Sequence, residues 1–377
     1  MLIERTIREK IEESLRYGKG VVLLGPRRVG KTVLVESIAK KFDSALLLDG
    51  EDVATDEILQ RKTVANYSSL LKGKNLLVVD EAQKIRDIGS KLKLIVDKIP
   101  DIKVLVTGSS SFDIENQTGE PLTGRKINYQ LFPISETENS VVTPEIAQKD
   151  SLYDRLVFGS YPELYALESA EQKARYLREM VNSYLLKDIL TMESIRNSRV
   201  IKDLLRLIAY QIGHEVSLQE IGSQLGISKN TVFRYLDILE KSFILYNLRG
   251  FSRNLRKEVS KNSRWYFLDN GIRNAIIADF NQIGLRNDQG SLWENFLVAE
   301  RLKQQEYFGH FTNNYFWRTY DQQEIDWIEE RNGSLFGYEF KWNASRKTKV
   351  PTAWSKAYPA ADFEVINPDN YRRWLSN

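Results

Sequence analysis

The sequence predicts an α/β protein in which a doubly wound parallel sheet comes first and further helical and α/β parts follow. Three observations predict this. Apolar runs at Val21–Leu24, Ala45–Leu48, Leu76–Val79 and Lys103–Thr107 alternate with segments of helical spacing. Such runs suit strands buried on both faces of a parallel sheet. A glycine-bracketed loop, Gly25-Pro-Arg-Arg-Val-Gly-Lys-Thr32, joins the first run to a helix-like segment, Val33–Lys41. Two carboxylates, Asp80 and Glu81, close the third run.

In chain order, residues 1–19 read as a helix, with Ile3, Ile7, Ile11 and Leu15 on one stripe. The loop after the first strand is G-x-x-x-x-G-K-T, the spacing of a phosphate-binding P-loop. Gly25 and Gly30 let the backbone curl so that its N–H groups point at phosphate oxygens. The helix N-terminus adds positive potential to that site. Gly25, Pro26, Arg27, Arg28, Val29, Gly30, Lys31, Thr32 and Val33 are therefore the expected nucleotide contacts. Lys31 reaches the β- and γ-phosphates, and the Thr32 hydroxyl is a ligand for Mg²⁺.

A second strand ends at Asp49, and residues 55–72 read as helical. Leu76-Leu-Val-Val-Asp-Glu81 then has the Walker B form. Asp80 is expected to hold the Mg²⁺ shell at the carboxyl end of its strand, where open α/β sheets bind ligands. Glu81 is expected to polarise the attacking water, so hydrolysis of ATP is expected as well as binding. Lys91–Lys98 is helical in pattern, and the strand from Lys103 runs into Thr107-Gly-Ser-Ser-Ser111. Ser109 is the candidate sensor of the γ-phosphate, with a plain strand-end turn as the alternative. Arg125, just before the strand Asn128–Pro133, can serve as an arginine finger, contact its own nucleotide, or pair with a surface carboxylate.

Residues 150–213 read as helices broken at Gly159-Ser-Tyr-Pro162, the place of a helical lid. Residues 216–239 form a helix-turn-helix pattern. Ser217 and Glu220 make a capping box, Gly226 supplies the turn, and Ser228 caps the second helix. The first turn of that helix, Lys229-Asn-Thr231 and then Arg234, offers polar groups to phosphates or base edges. Phe243–Leu248 reads as a strand, which completes a winged helix. Arg249, Arg253, Arg256, Lys257, Lys261 and Arg264 follow with one acid, Glu258, among them. A run of this kind suits a phosphate backbone, so DNA is the expected partner. The alternative is a packing module with a solvated basic loop.

All seven tryptophans lie between Trp265 and Trp374, which points to a separate C-terminal domain. Its chemistry is expected at Glu294 on a helix, Asp326 on a strand, and Glu339 with Lys341 on another strand. Residues two apart on a strand share a face, so Glu339 and Lys341 project opposite to Tyr338, Phe340 and Trp342. D…E-x-K is the core of the PD-(D/E)xK nuclease site. Asp326 and Glu339 would bind Mg²⁺ through hard oxygens, Lys341 would orient the water, and Glu294 would complete the shell. A purely structural cluster would instead pair each acid with an Arg or Lys, Lys341 and Arg318 being the candidates.

Composition narrows the classes. The chain has 377 residues, 42% apolar content and a formal net charge of +3, so any nucleic-acid surface is a local patch. It has no cysteine and two histidines, His214 and His310, which excludes thiolate and His-rich metal centres. Neither a signal peptide nor an apolar stretch of membrane-spanning length is present, and a cytoplasmic location is expected.

Several stretches carry a family resemblance: Gly25–Thr32, Asp80-Glu-Ala-Gln-Lys84, Thr107-Gly-Ser-Ser110, Leu122-Thr-Gly-Arg125, Leu131-Phe-Pro133 and Gly159-Ser-Tyr-Pro-Glu163. Phe251-Ser-Arg-Asn254, Trp265–Gly271, Trp293-Glu-Asn295, Glu324-Ile-Asp326 and Glu339-Phe-Lys341 extend it over nearly the whole chain. On these residues the chain resembles bacterial and archaeal AAA-type ATPases that carry a C-terminal domain of unknown function with a restriction-nuclease-like fold. The resemblance implies an ATPase core, a winged helix and a nuclease-like domain in one polypeptide. The chain departs from the pattern at Asn270, where threonine is expected, and at Ser160, where glycine is common. The expected division is 1–145 ATPase core, 146–205 helical lid, 206–264 winged helix and 265–377 nuclease-like domain. ATP and Mg²⁺ are the expected cofactors, and self-association is an expectation alongside DNA. Two functions fit. One is a DNA-directed ATPase with a C-terminal cleaving site; the other is a nucleotide switch whose C-terminal parts only bind a partner.

Overall fold

Five strands rich in Val and Leu build the sheet of the N-terminal part: β1 Gly20–Leu24, β2 Ala45–Asp49, β3 Leu76–Asp80, β4 Lys103–Gly108 and β5 Lys126–Gln130. In this computed structural model, residues 3–109, 124–185, 198–252, 263–345 and 348–376 are described. The strands are all parallel, in the order β2-β3-β4-β1-β5. β1 is buried along its whole length, as a strand covered on both faces must be. The helix Lys31–Ala39 follows β1, and Ile88–Lys98 lies between β3 and β4. The predicted N-terminal helix is shorter than its apolar stripe. It runs over Arg8–Ser14 with a 3₁₀ turn to Tyr17, and Gly18 at φ 69° ends it in a left-handed cap. Ile7, Ile11 and Leu15 are buried as predicted. The helix predicted over 55–72 is two, Val53–Gln60 and Val64–Leu70. Extended Thr63 divides them, its hydroxyl accepting the Asn66 N–H at 3.2 Å as a new N-cap.

The molecule divides into two compact units, one reaching Ile134 together with Lys241–Phe243, the other comprising Ser135–Glu240 and Ile244–Asn377. The second unit has a mixed seven-stranded sheet. Its strands are β6 Glu215–Val216, β7 Leu245–Gly250, β8 Ser263–Phe267, β9 Asn313–Arg318, β10 Glu324–Arg331, β11 Ser334–Phe340 and β12 Asp362–Ile366. They lie in the order β12-β11-β10-β9-β7-β8-β6. The boundary read at 264/265 therefore falls inside β8. The strands on either side of it are joined where Arg249 and Gly250 of β7 pair in parallel with Tyr315 and Phe316 of β9. β10 and β11 form the predicted antiparallel hairpin, turned at Asn332 and Gly333, both with positive φ. Phe251, Trp317, Ile325, Ile328 and Trp354 form a core cluster on this sheet.

The break at Gly159 has a packing cause. A Cβ there would lie 2.0 Å from the Asp269 carboxylate, and one on Gly271 would lie 1.9 Å from the Phe158 carbonyl. Asp269 is buried and accepts the Ser160 N–H at 2.7 Å. Both departures from the family pattern are bonded. The Ser160 hydroxyl accepts from Arg155 Nε at 2.9 Å. The Asn270 amide donates to the Leu292 carbonyl at 3.0 Å and accepts from Asn295 at 2.7 Å.

Candidate nucleotide site and the C-terminal carboxylate cluster

At the carboxyl end of β1 the chain turns at Gly25, whose φ is 155° and whose Cβ, if present, would sit 2.2 Å from the Leu131 carbonyl. Only glycine fits there. Gly30, at φ 93°, precedes the helix Lys31–Ala39. The loop is braced from below by Arg5, which donates to the Val29 carbonyl at 2.7 Å and the Phe132 carbonyl at 2.6 Å. The buried Lys31 ammonium donates to the Gly25 and Pro26 carbonyls at 2.9 and 3.0 Å and lies 3.8 Å from Glu81 Oε1. The Thr32 hydroxyl donates to Asp80 Oδ2 at 2.5 Å. Arg27 faces Glu51 at 3.8 Å, while Arg28 and Val33 are exposed.

β4 lies between β1 and β3, so its residues bridge the two motifs. The Thr107 hydroxyl donates to Asp80 Oδ1 in a short bond and accepts the Glu81 N–H at 3.0 Å. Glu81 has φ 45°, and its carbonyl passes so close to Gly50 that a Cβ there would lie 2.4 Å away. A left-handed glutamate of this kind is held by its surroundings. Gln83 Nε2 donates to Glu81 Oε2 at 2.6 Å and to Ser109 Oγ at 2.9 Å, and Ser109 Oγ donates to the same carboxylate oxygen at 3.2 Å. Lys31, Thr32, Asp80, Glu81 and Ser109 thus come together. Sequence reasoning had no role for Arg5 or for Gln83, and among the hydroxyls of the strand end passed over Thr107. The last two stand inside the motifs already singled out, but nothing in the local pattern marks Arg5.

Arg125 does not join them. Its carbonyl accepts the Gly20 N–H at 2.9 Å, at the amino end of β1, and its guanidinium lies 2.5 Å from Asp97. It is paired with a surface carboxylate at the other end of the strand from Gly25, so it does not contact its own chain's loop.

The helix pair Leu218–Leu225 and Lys229–Lys241 turns at Gly226, φ 66°. Ser217 accepts the Glu220 N–H, and Ser228 accepts the Thr231 N–H at 3.1 Å. Lys229, Asn230 and Arg234 are exposed, as is Arg249. Arg253, Arg256, Lys257 and Lys261 lie outside the described residues. Arg264 overturns its place in the basic run: it is 3% exposed and points inward.

Arg264 meets the C-terminal acids. Its Nη2 lies 2.6 Å from Glu324, and its Nη1 lies 3.6 Å from Asp326 Oδ1 and 3.8 Å from Glu294 Oε1. Glu294 also accepts from the Tyr266 hydroxyl at 2.7 Å, and Asp326 Oδ2 accepts the Phe340 N–H at 2.9 Å. Lys341 pairs with Glu339 at 2.5 Å. Burial and the nearby Asp326 charge push Glu294 up to about 8 and Glu339 up to about 7. Glu294, Asp326, Glu339 and Lys341 therefore share one neighbourhood. The expected metal shell of Asp326, Glu339 and Glu294 does not form. Among the described residues no three His, Cys, Asp or Glu side chains are grouped to hold a metal ion. The acids are paired with Arg264 and Lys341, and Arg318 pairs elsewhere, with Glu215.

Residues 17–139 match the profile of an AAA domain. Residues 149–286 and 289–373 match two domains of unknown function, DUF8612 and DUF4143. An uncharacterized protein of Mycobacterium tuberculosis is 26% identical over all of this chain and 83% of its own length. One from Methanocaldococcus jannaschii is 23% identical, over 96% of this chain and 84% of its own. Among solved structures, a Walker-type ATPase of Pyrococcus abyssi aligns with TM-score 0.50 and 15% identity, covering 73% of this chain and 96% of its own. Residues 17–139 are thus similar in sequence to an AAA domain, and the chain shares its fold with a Walker-type ATPase. No helix among the described residues is long and apolar enough to cross a membrane.

Proposed function

We propose that this AAA-type chain binds Mg²⁺-ATP at Gly25–Val33, hydrolyses it with Glu81 as the base, and binds duplex DNA through the helix Lys229–Lys241. The observation that carries the reading is the meeting of Lys31, Thr32, Asp80 and Glu81 across three strands. Thr32 and Asp80 present two hard oxygens 2.5 Å apart, a donor pair suited to Mg²⁺. The ion would neutralise charge on the β- and γ-phosphates. Lys31 carries the charge for those same phosphates and already faces inward, where the Gly25 and Pro26 carbonyls hold it. Glu81 has one oxygen fixed by Gln83 and Ser109, and the other, Oε1, which faces Lys31 at 3.8 Å, is the one to take a proton from water.

DNA binding is supported by the exposed Lys229, Asn230 and Arg234 at the start of the second helix of the pair. The tests are direct. Lys31→Ala should remove ATP binding in a fluorescent-nucleotide titration, because the loop then has no charge aimed at the phosphates. Unchanged affinity in that variant would place the nucleotide elsewhere.

A further inference from the structure

We infer that Arg264 is the resident cation of the C-terminal carboxylate cluster, so that these acids hold the sheet together without a divalent metal and do not cleave DNA. The guanidinium stands where a bridging ion would act. One nitrogen faces both Asp326 and Glu294, and the other is bonded to Glu324. A planar, permanently charged group with five donors can serve several carboxylates at once. Its face lies on Phe316, 4.6 Å from the ring centre to the guanidinium carbon, so it is held from the side as well. Hard-cation ligand distances are about 2.1 Å for Mg²⁺, so an ion on Asp326 Oδ1 would lie within about 6 Å of this buried positive charge. The two like charges would compete in a dry site.

Further bonds reach three acid oxygens, while Glu339 Oε2 is buried without a hydrogen-bond partner among the described residues. Glu339 Oε1 is bonded by Lys341, Asp326 Oδ2 by the Phe340 N–H and Glu294 Oε1 by the Tyr266 hydroxyl. Apart from the local Lys341–Glu339 pair, each bond ties one element to another. Arg264 and Tyr266 belong to β8, Glu324 and Asp326 to β10, Phe340 to β11, and Glu294 to the helix Gln289–Phe308. The arrangement is therefore a cross-sheet clamp made from the side chains a metal-dependent nuclease would use.

The experiment uses the full chain carrying Asp80→Asn, which removes the expected Mn²⁺ ligand at the nucleotide site. Bound Mn²⁺ is counted by electron paramagnetic resonance without nucleotide, and nicking of supercoiled plasmid is scored with Mg²⁺ or Mn²⁺. The expected result is no bound Mn²⁺ and no nicking. Replacing the clamp by Arg264→Met should then create at least tenfold tighter Mn²⁺ binding, lost again on adding Asp326→Asn. Nicking, or Mn²⁺ binding abolished by Asp326→Asn, in protein that retains Arg264 would overturn the inference. A folded Arg264→Met protein that gains no Mn²⁺ would overturn it as well. Should that variant not fold, the measurements on protein retaining Arg264 decide the matter.

Discussion

Gln83 and Ser109 illustrate how much of this site is set by single side chains that hold Glu81 in place. Gln83 holds the same Glu81 oxygen that Ser109 holds, and it bonds Ser109 too. Removing the amide leaves Ser109, among the described residues, as the one remaining donor on that Glu81 oxygen. Gln83→Ala is expected to lower kcat about tenfold with KM little changed, the size of one hydrogen bond of about 1.4 kcal/mol made better in the transition state. Steady-state ATP turnover checks it, and an unchanged kcat would show that Glu81 needs no such support. The loop chemistry was legible at this scale because its residues are neighbours in sequence: eight positions from Gly25 to Thr32 carry glycines, lysine and hydroxyl together. Arg5 and Arg264 were not legible. Their partners, Phe132 for one and Asp326 for the other, lie far along the chain and are chosen only by folding.

Elements show the same division between local and distant causes. The helix pair was readable because its caps are local: Ser217, Gly226 and Ser228 end and start the helices as their positions imply, although of the Ser217–Glu220 capping box the bond from the Glu220 N–H is the half that forms. The domain cut at 265 was drawn from tryptophan content, and β7 pairing with β9 across it could not be seen. Strand order depends on contacts between segments more than sixty positions apart, and composition carries no record of them. Of the three readings of Arg125, the structure has the pair with a surface carboxylate, Asp97, because a residue close in sequence to a strand can stand at either end of it. For the exposed helix start, Lys229→Ala with Arg234→Ala should weaken binding to duplex DNA and lower the slope of log affinity against log salt by up to about 2, one per lost phosphate contact. Fluorescence anisotropy across a salt series measures this. An unchanged slope would mark the helix pair as a packing module.

Across the whole molecule, buried carboxyls set the pH response. Burial, with neighbouring charge, raises Glu294 to about 8 and Glu339 to about 7, and burial raises Asp269 to about 6. Their unfolded values are near 4, so the folded state holds extra protons between roughly pH 4 and 8. Stability from these groups is full below that window and falls as pH rises through it. Glu300 and Glu329 act oppositely, because Lys303, Arg155 and Arg301 hold them below the usual range, and their contribution is lost only in acid. The melting temperature is expected to be several degrees higher at pH 5 than at pH 8, on the order of 1 kcal/mol per raised carboxyl, with the decline flattened in Glu294→Gln. Melting curves from pH 5 to 8 test this. The central claim, that the N-terminal site hydrolyses ATP with Glu81 as its base, is tested most directly by one comparison of binding and turnover in Glu81→Gln. The account predicts ATP affinity within about twofold of wild type, since Lys31, Thr32 and Asp80 remain, and turnover lowered at least a hundredfold, as loss of a general base requires. Hydrolysis at the wild-type rate in Glu81→Gln would contradict it.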